Sequence, residues 1–175
     1  MNIKHQIFTG LALALFCVSC QSASKKTNST PIVTLALYDG GTLWGGQELF
    51  ILTNGVCVTR VIRPPKAGES GMQERRCKLQ LERTDLDTLR RLLDEHLFFT
   101  LTVKDRTGVP DETRTTIRVR LASGAQRDVS KWTRDPHRDF DPIYQHLLRL
   151  VERVQKSQPI YEGGSVYRWK PEGFE

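Results

Sequence analysis

The densest run of reactive side chains is Asp135-Pro136-His137-Arg138-Asp139-Phe140-Asp141. Carboxylates and an imidazole at alternating positions have the chemistry to hold a divalent metal and activate water. If the chain is an enzyme, Asp135, His137 and Asp139 are the residues of a metal-assisted hydrolase. A Ca²⁺ loop needs a sharp glycine turn and a terminal bidentate carboxylate, and the run offers neither. Asp141 has a simpler role ahead of Pro142, as a helix cap. The nucleophile elbow Gly-x-Ser-x-Gly, the zinc helix His-Glu-x-x-His and phosphate-binding glycine loops are missing from the sequence. Of its four histidines, His5 precedes the folded body and His146 falls on the polar side of a helix. The expectation is a non-enzymatic chain with no metal and no cofactor.

Two further groups of residues carry chemistry or recognition. Cys57 and Cys77 have no histidine between them to complete a metal site and lack Cys-x-x-Cys redox spacing. A hairpin centred on Ala67 sets them opposite one another, within disulfide reach. A structural disulfide is therefore expected in an oxidising compartment, with two buried thiols as the alternative. Gly40, Gly41, Gly45 and Gly46 bracket Trp44 at a tight connection. An aromatic there is costly to expose, so it is either folded back or kept for a partner.

The elements that position these residues begin with a leader. Lys4 and His5 form a polar start, and Ile7 to Val18 is an apolar run too short to span a bilayer as a helix. It ends at Val18-Ser19-Cys20, which resembles the lipobox of bacterial lipoproteins. That resemblance implies a signal peptide over residues 1–19, lipidation at Cys20 and, because Gln21 is not Asp, an outer-membrane anchor facing the periplasm. An ordinary secretory leader cut near Cys20 is the alternative. Residues 20–30 are small and polar and are expected to act as a flexible tether. The net charge of +6 falls to +5 once Lys4 leaves with the leader. Acidic and basic residues are interspersed, as on a solvated mixed-charge surface. The export signal and the absence of aromatics among the arginines argue against nucleic acid and leave an envelope protein or an anionic envelope component as partner.

Residues 31–156 are expected to form one α+β domain of order ββββαββα. Five or six mostly antiparallel strands carry two helices on one face. Asn54-Gly55 marks a hairpin pairing Leu52 with Cys57, which sets Phe50, Leu52 and Cys57 on one face. Cys77, Leu79 and Leu81 point inward, while Arg76, Lys78, Arg118 and Arg120 point outward as a possible basic face. Thr84 caps a first helix with the stripe Leu86, Leu89, Leu93 and Leu97. Val129 faces the wrong way for a two-residue turn at Ser123-Gly124, so a bulge or longer loop is expected there. Residues 157–175 form an aromatic-rich tail with Tyr161, Tyr167, Trp169 and Phe174, expected to dock on the body or on a partner.

From Val33 to Val154 the order of elements, the Gly-Gly turn after the first strand and Phe98-Phe99-x-Leu101 after the first helix resemble emfourin-type inhibitors of metalloproteases. Lys131-Trp132 and Phe140-Asp141-Pro142-Ile143-Tyr144 look more like a set of uncharacterised bacterial lipoproteins. Together these resemblances imply a lipid-anchored binding or structural module of the cell envelope, with protease inhibition through the Gly40–Gly46 loop as the alternative.

Overall fold

The structure, a computed structural model, describes residues 30–41 and 44–174. The expected leader, Cys20 and the tether before Thr30 lie outside those residues. The order is β1 (Ile32–Gly41), β2 (Gly45–Ile51), β3 (Val56–Arg63), β4 (Gln73–Gln80), α1 (Arg83–Glu95), β5 (Arg114–Leu121), β6 (Gln126–Trp132), α2 (Asp141–Gln155) and β7 (Pro159–Gly164). All seven strands join one antiparallel sheet in the spatial order β6-β5-β1-β2-β3-β4-β7. The α+β class holds, with one strand more than expected. The additional strand comes from the tail: Pro159–Gly164 pairs along β4.

Both faces of the sheet centre are covered, and β1 shows why. Leu35 and Leu37 point to one face and Ala36 to the other, and all three are fully buried. On the first face Leu49, Ile117 and Val119 meet Leu89 and Leu93 of α1 and Ile143, Leu147 and Val151 of α2. On the second, Ala36 and Phe50 meet Phe174 and Trp169 of the tail. Removing this much apolar surface from water is the main stabilising term.

Turn chemistry sets the register, and it corrects two expectations. At Asn54-Gly55 the Gly55 N–H donates to Leu52 O and the Leu52 N–H to Val56 O, each at 2.9 Å. With Gly55 at φ +77° this is a type I turn closed by a glycine bulge rather than a two-residue turn. Ile51 therefore opposes Cys57. The shift of one residue sends Phe50 and Leu52 to the tail face while Cys57 faces the helices. The same two bonds recur at Leu121–Ala125, with Gly124 at φ +84°. There the bulge turns Val129 inward opposite Ile117.

The second correction concerns the cysteines. The β3–β4 hairpin pairs Cys57 with Leu79 and Thr59 with Cys77, so the two cysteines are diagonal neighbours. Diagonal neighbours stand about 7–8 Å apart, beyond bridging distance. Both are buried free thiols, and the expected disulfide is not formed.

The helix ends also move. α1 is capped by Glu82, whose N–H donates to Asp85 at 3.1 Å, two residues before the expected Thr84. At its other end Leu97 takes φ +48° and is exposed, while the Phe98 N–H returns to Leu93 O at 2.9 Å. This is a Schellman ending with leucine in the usual glycine position. It turns Leu97 out of the stripe and Phe98 into the core. Phe140 precedes α2 without a side-chain capping bond, and the carboxylate of Asp141, the expected cap, instead accepts from the His137 N–H at 2.8 Å.

Burial pushes the Cys57 thiol up to about 12, so it stays protonated and unreactive. Iodoacetamide should label neither Cys57 nor Cys77 until the protein unfolds, and a reducing agent should leave the melting temperature unchanged. Peptide mass spectrometry of native and denatured samples checks both.

Candidate functional site

The three residues of the hydrolase reading are each occupied elsewhere. Asp135 is held by Arg106, whose Nε donates at 2.9 Å and whose terminal nitrogen at 2.7 Å. Those bonds keep its carboxyl below the usual carboxylate range. His137 Nδ1 accepts the backbone N–H groups of Phe140 at 3.2 Å and Asp139 at 3.3 Å. Its proton therefore sits on Nε2, which donates to Thr102 O at 3.2 Å. Asp139 lies 3.3 Å from His96 Nδ1 on the last turn of α1. His137 is thus a cap for α2 and Asp139 a clasp between the helices. Among the described residues no group of three His, Cys, Asp or Glu converges to hold a metal.

The glycine cluster has a steric origin. Gly40 pairs with Gly46 and Gly41 with Gly45 where β1 and β2 converge on β3. A Cβ at Gly40 would stand 2.6 Å from Gly46 Cα, and one at Gly45 would stand 2.5 Å from Ile62 O. Both residues also have positive φ, +111° and +90°. Close packing of three backbones accounts for Gly40, Gly45 and Gly46. It does not account for Trp44, which is 68% exposed at the tip.

Beneath the hairpin Asp39 forms a rigid polar base. It accepts from Thr115 Oγ1 at 2.7 Å, the Tyr144 hydroxyl at 2.8 Å and Gln47 Nε2 at 3.0 Å. Burial, reinforced by Asp39, raises the Tyr144 phenol above its ordinary value, so it stays protonated and donates. Four elements (β1, β2, β5 and α2) meet at this one carboxylate. Nothing in the local sequence around Asp39 shows that three distant donors converge on it.

The tail face holds a second polar group, assembled from residues far apart along the chain. Arg60 and Glu74 are almost fully buried and pair at 2.6 Å. Arg60 also reaches Glu48 at 3.2 Å. Arg76 pairs with the other oxygen of Glu74, and its guanidinium is sandwiched between Trp169 at 4.0 Å and Tyr161 at 4.3 Å. Burial alone would raise the Glu74 carboxyl, but hydrogen bonds from Arg60, Arg76 and the Val166 N–H hold it below its ordinary range. The tail from Ser165 to Phe174 is fastened through these groups, by Val166 N–H to Glu74 and Val166 O to Arg60. The expectation that the tail docks on the body is met at this face.

The expected basic face is not continuous. Arg76, Lys78, Arg118 and Arg120 do share the face opposite the helices, but β1, β2 and β3 separate the two pairs. Arg76 is consumed by Glu74, and Arg118 by Asp128 at 2.6 Å.

Where the tail crosses the sheet it leaves a cleft of about 530 Å³ among Glu48, Arg60, Ile62, Met72, Tyr167 and Arg168. A smaller hollow of about 50 Å³ continues it past Glu48 and Ile62 to Gly40 and Gly46, where side chains are missing. Tyr167 is 73% exposed and Val166 46%. The cleft, the hollow and Trp44 lie at one end of the sheet. Compared with protein-family models, curated proteins and solved structures, the chain matches none.

Two substitutions separate support from surface here. Asp39→Ala should strand the donors of Thr115 and Tyr144 and cost about 2–4 kcal/mol. Trp44→Ala should change stability by less than about 0.5 kcal/mol. Urea unfolding of the two variants measures both.

Proposed function

We propose that the chain is a lipid-anchored, non-enzymatic binding module of the bacterial cell envelope. It is held through Cys20 at the outer membrane facing the periplasm, and it presents the β1–β2 hairpin end to an envelope protein. One observation carries the reading. The carboxylates of Asp39 and Glu74 are held by partners within the body, while Trp44, Val166 and Tyr167 stand exposed at one end of the sheet. Exposed large apolar groups grouped in this way mark interaction surfaces.

Geometry adds direction. β1 starts beside Thr30, whose carbonyl accepts from Arg90 at 2.7 Å, and runs for ten residues to Gly41. Ten strand residues span about 33 Å. An anchor at Cys20 would thus attach at one end of the sheet and leave Trp44 at the far end. A second reading, inhibition of an envelope metalloprotease by the same hairpin, is favoured by the exposure of Trp44 on a tight, sterically fixed turn.

Cys20→Ser should release the protein from the detergent fraction into the soluble periplasmic extract. Affinity capture from solubilised envelopes should recover a stoichiometric partner with the native chain and lose most of it with Trp44→Ala. Equal capture by both would sink the hairpin reading. Metalloprotease activity measured with and without the chain decides between binding and inhibition.

A further inference from the structure

At the end of the sheet from which the chain leaves toward Cys20, a groove of about 450 Å³ opens between α1 and the strands β1 and β2. Buried Ile51 forms part of its lining, and Ile32, Leu52 and Leu86 are only half-buried there. Its volume falls within the range of about 300–1,000 Å³ in which small-molecule sites lie. The charges around it cancel. Arg83 lies 3.8 Å from Asp87, and Arg90 lies 3.1 Å from Asp94 one helical turn on. The lining therefore suits an uncharged, apolar occupant.

The groove also marks where the chain enters the fold. Pro31 lines it, and the Pro31 carbonyl accepts from the Ala122 N–H at 2.9 Å. Arg90 lines it from α1 and donates to Thr30 O at 2.7 Å. The segment before Thr30 therefore starts at the lip of the groove. Ten residues separate Cys20 from Thr30, a contour of at most about 33–36 Å. A group carried on so short a linker is presented at about millimolar effective concentration.

Resting on the lipid anchor proposed above, we propose that this groove receives one acyl chain of the lipid on Cys20. Its methylenes lie against Ile32, Ile51, Leu52 and Leu86, while Arg83 and Asp87 stay in water at the rim. Each methylene kept from water stabilises by about 0.8 kcal/mol. Passage from bilayer to groove exchanges one apolar surrounding for another, so entry needs no charge or hydrogen bond. The other acyl chains of the anchor stay in the membrane. One chain in the groove draws the start of β1 toward the membrane and points its Gly41 end away, the orientation that the hairpin surface requires.

The test is photo-crosslinking of the full chain in cells grown on a diazirine-bearing fatty acid, which they build into their lipids. After irradiation, peptide mass spectrometry should find the Cys20 peptide joined through its acyl chain to peptides containing Ile32, Leu52 or Leu86. Leu86→Glu, which sets a carboxylate in the groove, should lower the yield of these adducts about tenfold, a change of about 1.4 kcal/mol. Acyl crosslinks confined to bilayer lipids or to other peptides would overturn the proposal. Phospholipid adducts in place of Cys20 adducts at the groove peptides, or an unchanged yield in Leu86→Glu, would overturn it too. The crosslink map is read on the unaltered protein, so misfolding of the variant cannot obscure it. If Cys20 carries no acyl mass, the anchor reading falls and the groove assignment with it; if Cys20 is acylated but its chains crosslink elsewhere, only the groove assignment falls.

Discussion

The buried pair Arg60–Glu74 is the constraint on which the functional end of the molecule depends. Two charges removed from water are costly, and losing either partner of such a pair typically costs about 3–5 kcal/mol. Here both are more than nine-tenths buried. Their remaining hydrogen-bonding capacity goes to Glu48, Ser165 and the backbone of Val166. The pair therefore does three things at once. It ties β3 to β4, fastens the start of the tail, and holds Glu48 against Arg60 in the lining of the cleft. Arg76 extends the chain of charges and fixes Tyr161 and Trp169 on either side of its plane.

The second constraint, Asp39, acts on the opposite face of the same end. One carboxylate bonded by side chains of β2, β5 and α2 makes the base of the hairpin stiff, while the tip carries an exposed tryptophan. A rigid support beneath an exposed aromatic lowers the entropy lost on binding. The glycines belong to this geometry: three backbones meet too closely for Cβ atoms at Gly40, Gly45 and Gly46.

Much of the architecture was legible in the sequence because it is written in periodicity. The inward set Cys77, Leu79 and Leu81 and the helix residues Leu86, Leu89 and Leu93 are local patterns, and all appear in the core or packed against it, whereas Leu97 is turned out by the helix ending. What failed was set by single residues. Asn54-Gly55 signals a hairpin but not its length, and one bulge residue moved Phe50 and Leu52 to the other face. The Cys57–Cys77 pairing missed by two residues because the β3–β4 loop has its centre at Gly68, not Ala67. β7 was hidden in a tail with Pro159 at its start and two glycines at its end, where little strand periodicity survives. The candidate cleft was illegible for a different reason. Glu48, Ile62, Met72 and Tyr167 are far apart in sequence, and only the docking of the tail brings them together.

The central claim is that recognition occurs at the hairpin end and not at the end from which the chain leaves toward Cys20. Site-specific photo-crosslinking in living cells tests it most directly, with benzoylphenylalanine placed at the position of Trp44 and, separately, of Asn54 at the opposite end of β2. A discrete crosslinked partner band from position 44 and none from position 54 is the predicted result. A band from position 54 alone, or none from either, would contradict it.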